Sequence, residues 1–303
     1  MIGTVLHWGE LERFARLVRE AEPAWMGFAI ALQALTYLSV AAGWSAVLAA
    51  ADAPQPLGKL MRVAIIKLFA DQTMPSAGMG GNVVLVDQLH ALGAPRSAAV
   101  AALLISMVGY YCAYALFAVA MMVLLWLHDQ ATPLMAGLVT LFLAIAFAIP
   151  ALALWLRRRG SRPLPRRIER IGLIRELLRT VAQAPAKLMG NRRLLAKVAL
   201  CNALVFLADA GTLYCCLHVL GQSAAFATAF IALIMASIMM TLSPIPLGLG
   251  TFEATSTATL HLLGVPLESA FAATMLLRLL TLWLPMLPGI VLVRRATRRP
   301  GIA

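Results

Sequence analysis

The chain has 303 residues, 61% of them hydrophobic and 13% charged, with a formal net charge of +12. Soluble domains carry about a quarter charged residues; with a mean hydropathy of +0.85, this composition reads as an integral membrane protein. The basic residues lie between apolar runs, the pattern of positive-inside bias and anionic-lipid contact, and no nucleic acid partner is expected.

Residues 1–22 predict a short amphipathic segment at the membrane surface, or a terminus without a role. Leu11, Phe14, Leu17 and Val18 face one side, with Arg13, Arg16, Arg19 and Glu20 opposite. Charges throughout Met1–Pro23 argue against a signal peptide. Trp25–Ala50 is the first predicted span, and ADAPQPLG at 51–58 a turn. Residues 59–74 then carry Lys59, Arg62, Lys67 and Asp71 on an otherwise apolar helix, too short and too charged to cross easily. The break TMPSAGMGG follows, then a second short helix over about 82–92. Two short helices around a Pro/Gly break predict a re-entrant hairpin.

A long span is expected over 95–127, a tight connection over His128–Pro133, and a return crossing over 134–156. Arg157, Arg158, Arg159, Arg162, Arg166, Arg167 and Arg170 come next. They lead into a predicted interfacial helix with Ile171, Ile174, Leu178 and Val181 on one face. This basic segment, 157–193, is a topology anchor or a headgroup-gathering surface. Residues 194–220 span again, 226–242 and 251–263 flank SPIPLGLG as a second hairpin, and 266–293 is the last span. Arg294, Arg295, Arg298 and Arg299 follow it.

Placing 157–193 in the cytoplasm puts every basic cluster after residue 50 on that side. The first hairpin then enters from the cytoplasm and the second from the opposite face. The expected fold is an all-α polytopic membrane protein, a single domain built as an inverted repeat of span, re-entrant hairpin and span. Repeat 1 covers 24–127, a connecting helix covers 134–156, and repeat 2 covers 194–293. If each hairpin were a full crossing, the two copies would instead be parallel. Inverted repeats with broken helices are the architecture of secondary transporters.

The two hairpins echo one another in sequence. At an offset of 171 positions, Pro75, Leu89, His90, Leu92, Gly93, Pro95, Ala99, Ala101 and Ala102 match Pro246, Leu260, His261, Leu263, Gly264, Pro266, Ala270, Ala272 and Ala273. Asn82 falls opposite Glu253, and Met107 opposite Arg278.

Several residues could carry chemistry. Pro244, Pro246, Gly248 and Gly250 open the backbone at the second tip, as Gly80 and Gly81 do at the first. Opened backbone at membrane depth is tolerated only where it is buried in protein or lines a cavity. The helix after each break turns its N-terminus inward, where a phosphate or carboxylate is stabilised. Glu253 either caps that end or takes a proton or cationic group. Arg278, in the middle of the last span, needs a partner, and Glu253 is the candidate. Their pair either locks the fold or holds a headgroup phosphate. Asp209 is the other deep carboxylate, read as a site residue or as bonded to Ser or Thr on a neighbouring helix. Lys67 and Asp71, four apart, are expected to pair locally. His90 and His261 are read as helix C-terminal caps, and Asp87 as interfacial. Cys112, Cys201, Cys215 and Cys216 read as packing residues without metal spacing. No nucleophile elbow, zinc-protease helix or P-loop is present in the sequence, so neither enzyme activity nor a cofactor is expected.

SPIPLGLGTFE, followed by Gly264-Val-Pro, Ala270 and Arg278, resembles the signature of the lysylphosphatidylglycerol synthase transmembrane-region family. The resemblance covers about residues 24–295. It implies a polytopic inner-membrane protein that translocates a lipid or lipid-linked substrate; the charge pattern puts its C-terminus and 157–193 in the cytoplasm. Members commonly begin with an extra spanning helix, and this chain is read as starting after it. The stand-alone form implies no lipid aminoacylation. Pro246, Gly248, Gly250, Glu253, Gly264 and Arg278 match the signature. The first motif of the family carries Gly-Glu where this chain has Gly81-Asn82. The expected headgroup site lies between the tips, with Gly80, Gly81 and Asn82 on one side and the second hairpin carrying the chemistry. Alternatives are a transporter of a small soluble solute and a non-catalytic partner that recruits an enzyme. Membrane lipid, anionic on the cytoplasmic face, is the expected partner, with a homo-oligomer also open.

Overall fold

The computed structural model describes residues 23–73, 79–127, 133–159, 186–243, 245 and 248–288. The amphipathic segment 1–22, the body of the basic segment, Pro244, Pro246 and the terminal arginines lie outside them. The described residues are helical, with no strand among them. In order the helices are α1 (Pro23–Ala50), α2 (Leu57–Thr73), α3 (Met79–Ala91), α4 (Arg96–Leu127) and α5 (Pro133–Arg159). They continue as α6 (Ala186–Met189), α7 (Arg192–Val219), α8 (Phe226–Leu242), α9 (Thr251–Leu262) and α10 (Leu267–Arg278). A π-helical turn, Leu279–Trp283, extends α10.

Four helices among the described residues are long and apolar enough to cross a membrane: Pro23–Ala50, Arg96–Leu127, Arg192–Val219 and Leu267–Pro288. The described apolar stretch of α5 is shorter, Met135–Ala148. Helix α3 begins about three residues earlier than the break suggested, taking Gly80 and Gly81 into its first turn. Glycine costs little there, because the first N–H groups of a helix have no intrahelical acceptor to lose.

The chain forms two compact units. One comprises Tyr37–Val119, Pro133–Val205 and Met286–Ala303. Its core joins Trp44 and Leu48 of α1, Leu60 and Val63 of α2, Leu85 and Leu89 of α3, and Ile105 of α4. Small residues let the helices close in, as expected where packing replaces the hydrophobic effect. Ala98, Ala99, Ala101 and Ala102 are buried. A Cβ on Gly109 would stand 3.0 Å from Val198 Cγ1 and 3.1 Å from the Ala199 backbone nitrogen.

The other unit comprises residues up to Thr36, Ala120–Thr132 and Phe206–Pro285. Helix α8 is its centre: every residue from Ala229 to Ile238 is buried. A helix apolar on all faces has no reason to prefer one neighbour, and here it is enclosed. Ser256 and Thr274 share a 2.9 Å hydrogen bond that ties α9 to α10. Trp25 of α1 packs against Tyr214 and His218 of α7.

The sequence echo has a structural counterpart at the ends of α3 and α9. The Gly93 N–H donates to the His90 carbonyl at 2.9 Å and the Ala94 N–H to the Leu89 carbonyl at 3.1 Å. The Gly264 and Val265 N–H groups bond the His261 and Leu260 carbonyls in the same way, each at 3.0 Å. Both are Schellman caps, and their glycines have φ of +94° and +93°. His90 Nδ1 lies 3.0 Å from the Ala94 carbonyl oxygen, and His261 Nδ1 lies 3.1 Å from that of Val265. The histidines staple the caps, as their spacing predicts.

Gly109→Val should destabilise the protein by about 1–3 kcal/mol through overpacking of α4 on α7. Gly137→Ala should be neutral or stabilising by up to about 1 kcal/mol, because its Cβ meets nothing within 4 Å. Thermal unfolding of both variants in one detergent checks the contrast.

Candidate functional site

The second hairpin breaks after α8, and two glycines carry the chain into α9. Gly248 is buried with φ +59°, and Gly250 has φ +85°. A Cβ on Gly248 would overlap the Met240 side chain. Both positions therefore need glycine, one for space as well as conformation. The described part of the opened backbone finds partners locally. The Ile245 N–H donates to Ser243 Oγ at 3.1 Å, and Thr251 Oγ1 donates to the Gly248 carbonyl at 3.0 Å.

Glu253 sits one turn into α9 and reaches back. Its Oε2 accepts the Gly250 N–H at 2.7 Å, satisfying a donor that no helical carbonyl can reach. Its Oε1 accepts from Arg278 Nε at 2.5 Å. The Arg278 guanidinium also lies over the Phe252 ring, 4.4 Å from its centroid. The ion pair is largely withdrawn from the surface, with side-chain exposures of 8% for Arg278 and 15% for Glu253. Glu253 thus caps α9 with one carboxylate oxygen and holds Arg278 with the other. Arg278 stands at the junction where α10 becomes the π-helical turn, a local widening that recurs at functional sites.

Beside the pair, a cavity of about 400 Å³ runs along α9 and α10. Glu253 and Gly250 form its head, and Ala254, Ala258, Leu267 and Phe271, all exposed, form its walls. Thr257 lines it with a buried hydroxyl that has no hydrogen-bond partner among the described residues. The cavity is open, and its lining is mostly apolar, with Glu253 and Thr257 as its polar side chains.

The remaining predicted residues fall elsewhere. Pro246 lies outside the described residues. Asp209, in the same unit as Glu253, bonds neither Glu253 nor Arg278. Its Oδ1 accepts from Gln33 Nε2 at 2.9 Å, and the same amide donates to Thr212 Oγ1 at 2.9 Å. The expected Ser or Thr partner is thus replaced by a glutamine of α1. Gln33, Phe252 and Thr257 escaped the sequence reading. A lone amide in an apolar span was the available signal for Gln33; an aromatic residue and a threonine in apolar sequence carry none.

Gly80, Gly81 and Asn82 open α3 in the other unit. Lys67 and Asp71 pair there as expected, Nζ to Oδ2 at 2.6 Å. Asp71 also reaches α3: a Cβ on Gly81 would overlap its carboxylate. The first tip does carry a carboxylate, but from the arm before the break.

Glu253→Ala or Arg278→Ala should cost about 3–5 kcal/mol, because each removes the counter-ion of a largely enclosed charge. The double variant Glu253→Gln/Arg278→Met should lose less than the sum of its singles, a coupling that a double-mutant thermal-unfolding cycle measures.

Residues 2–289 match the family model of the lysylphosphatidylglycerol synthase TM region. A UPF0104 membrane protein of Pyrococcus horikoshii is 23% identical over 313 aligned positions, covering 95% of this chain and 92% of the relative. With its apolar helices, the chain is a multi-pass membrane protein. It belongs to the family of lysylphosphatidylglycerol synthase transmembrane regions.

Proposed function

We propose that the protein is a translocator of a lipid or lipid-linked amphiphile and not an enzyme. The observation that carries this reading is the largely enclosed Glu253–Arg278 pair, whose Glu253 also lines an open hollow with exposed apolar walls. A site for a soluble solute needs a sealed aqueous pocket; walls open along α9 and α10 suit a molecule whose tail stays in hydrocarbon. Headgroup and tail would part at Glu253.

In this reading the sequence repeat reflects an inverted pair of re-entrant hairpins, one from each face, with tips near the midplane. Arg278 exchanges part of its bonding to Glu253 for a headgroup phosphate, which it grips through its fork of donors. Glu253 keeps the Gly250 N–H satisfied in both states, so the backbone break survives the exchange. Asp209, held by Gln33, is a further deep carboxylate on the route. The protein sits in the inner membrane, with 157–193 and the C-terminus cytoplasmic and in contact with anionic phospholipid. A homo-oligomer is compatible with this arrangement. A passive partner that recruits an enzyme through 157–193 would leave Glu253 dispensable.

Reconstitution into liposomes with labelled phospholipids tests the proposal. Glu253→Gln, which keeps the shape and can still accept from Gly250, should slow leaflet exchange about tenfold or more, equivalent to about 1.4 kcal/mol. Arg278→Lys should do the same, because one ammonium cannot replace the fork. Absence of exchange by the wild type across a broad lipid panel would reject the translocator.

A further inference from the structure

Gly250, Glu253, Ala254, Thr257 and Ala258 of α9 line one hollow, and Leu267 and Phe271 of α10 form its opposite wall. Spacings of three and four residues put the α9 set on a single helix face. The lining holds two polar side chains, Glu253 and Thr257. Both oxygens of Glu253 already have donors, the Gly250 N–H and Arg278 Nε. Thr257 differs: it is 8% exposed, and its hydroxyl has no partner among the described residues.

A helical threonine can satisfy itself by donating to the carbonyl four residues back. Thr73, Thr140, Thr212, Thr241 and Thr281 all do so, at distances between 2.7 and 3.0 Å. Thr257 makes no such bond to the Glu253 carbonyl. One rotamer step about χ1 exchanges its methyl and hydroxyl, so a side chain that lines the hollow can present the hydroxyl to it.

Buried polar atoms without partners mark missing ones. The partner missing here is a neutral acceptor, because a second charge among apolar walls would need a counter-ion of its own. It lies about 6 Å along α9 from Glu253, the rise of four helical residues. A glycerol backbone separates a phosphate from an acyl ester carbonyl by a similar length.

We propose that the hollow seats the glycerol ester of a diacyl lipid, with Thr257 Oγ1 donating to an acyl carbonyl. Thr257 is then the residue that tells an ester-linked lipid from an ether-linked one or from a polyprenyl phosphate. Neither of those carries a carbonyl at that depth. Ala254 and Ala258, both exposed, leave room for the acyl chain beside Leu267 and Phe271. The inference deepens the translocator reading and rests on it for the phosphate at Arg278 and for the lipid as cargo.

The test uses the full chain in vesicles of equal dioleoyl phosphatidylglycerol and its dioleyl diether analogue, with retained lipid read by native mass spectrometry. The two lipids share headgroup and chain length, so a preference reports the carbonyl. Wild type should retain the diester about fivefold over the diether, the worth of one neutral hydrogen bond. Thr257→Val keeps the shape and removes the hydroxyl. Its preference should fall to about one while thermal stability holds or rises, because an unpaired buried hydroxyl is lost. Thr257→Ser should keep the preference, and Ala258→Phe, which fills the hollow, should lower retention of both lipids. Equal retention of the two lipids by wild type would overturn the proposal, a result that depends on no variant folding. A preference that survives Thr257→Val, or retention unchanged in Ala258→Phe, would overturn it as well. So would a polyprenyl phosphate that displaces the diester equally from wild type and Thr257→Val. Leaflet exchange measured in parallel separates the two ideas. Thr257-dependent retention without exchange keeps the ester subsite and rejects the translocator; exchange of diester and diether at one rate, indifferent to Thr257→Val, does the reverse.

Discussion

Backbone opened inside apolar surroundings must find its hydrogen bonds within the protein, and in the second hairpin this requirement converges on one carboxylate. Glu253 satisfies the Gly250 N–H with one oxygen and Arg278 with the other. Remove it and two problems appear together: an unsatisfied donor at the start of α9, and a buried guanidinium with its carboxylate gone. The hairpin tip, the junction of α9 with α10, and the head of the cavity all depend on that side chain. Its position makes Glu253 a helix cap and a counter-ion at once.

The two hairpins share an ending and differ at their beginnings. Schellman caps with glycine and histidine close α3 and α9 in the same way. At the N-termini, one helix is met by its own Glu253 and the other by Asp71 from the preceding arm. Both solutions put a carboxylate and a cation at a broken tip, Arg278 in one and Lys67 in the other. The exposure differs: Arg278 is enclosed and stacked on Phe252, whereas Lys67 is more accessible.

Much of this was legible in the chain. Spans, breaks and the pairing of Glu253 with Arg278 followed from rules that hold wherever lipid is the solvent: apolar length, glycine and proline as interrupters, and the need of a deep charge for a partner. The histidine caps were legible because a cap is local, set by three or four consecutive residues. Asp209 marks the limit. Its depth was evident, but its partner is Gln33, 176 positions away, and nothing in a single sequence pairs one lone amide with one lone acid. At the first tip Asn82 holds the repeat position of Glu253, whereas the carboxylate there, Asp71, belongs to the preceding helix.

The sequence by itself determined a helical membrane protein with two glycine-broken hairpins and a charge pair at the second, because each of these is written in composition or short-range pattern. Only the tertiary structure decided how the charges are used. It divided the oxygens of Glu253 between a backbone donor and Arg278, opened a cavity beside them, and set Asp71 against Gly81. Those outcomes depend on which helix faces close on one another, and side-chain packing chooses among faces that the chain alone leaves equivalent.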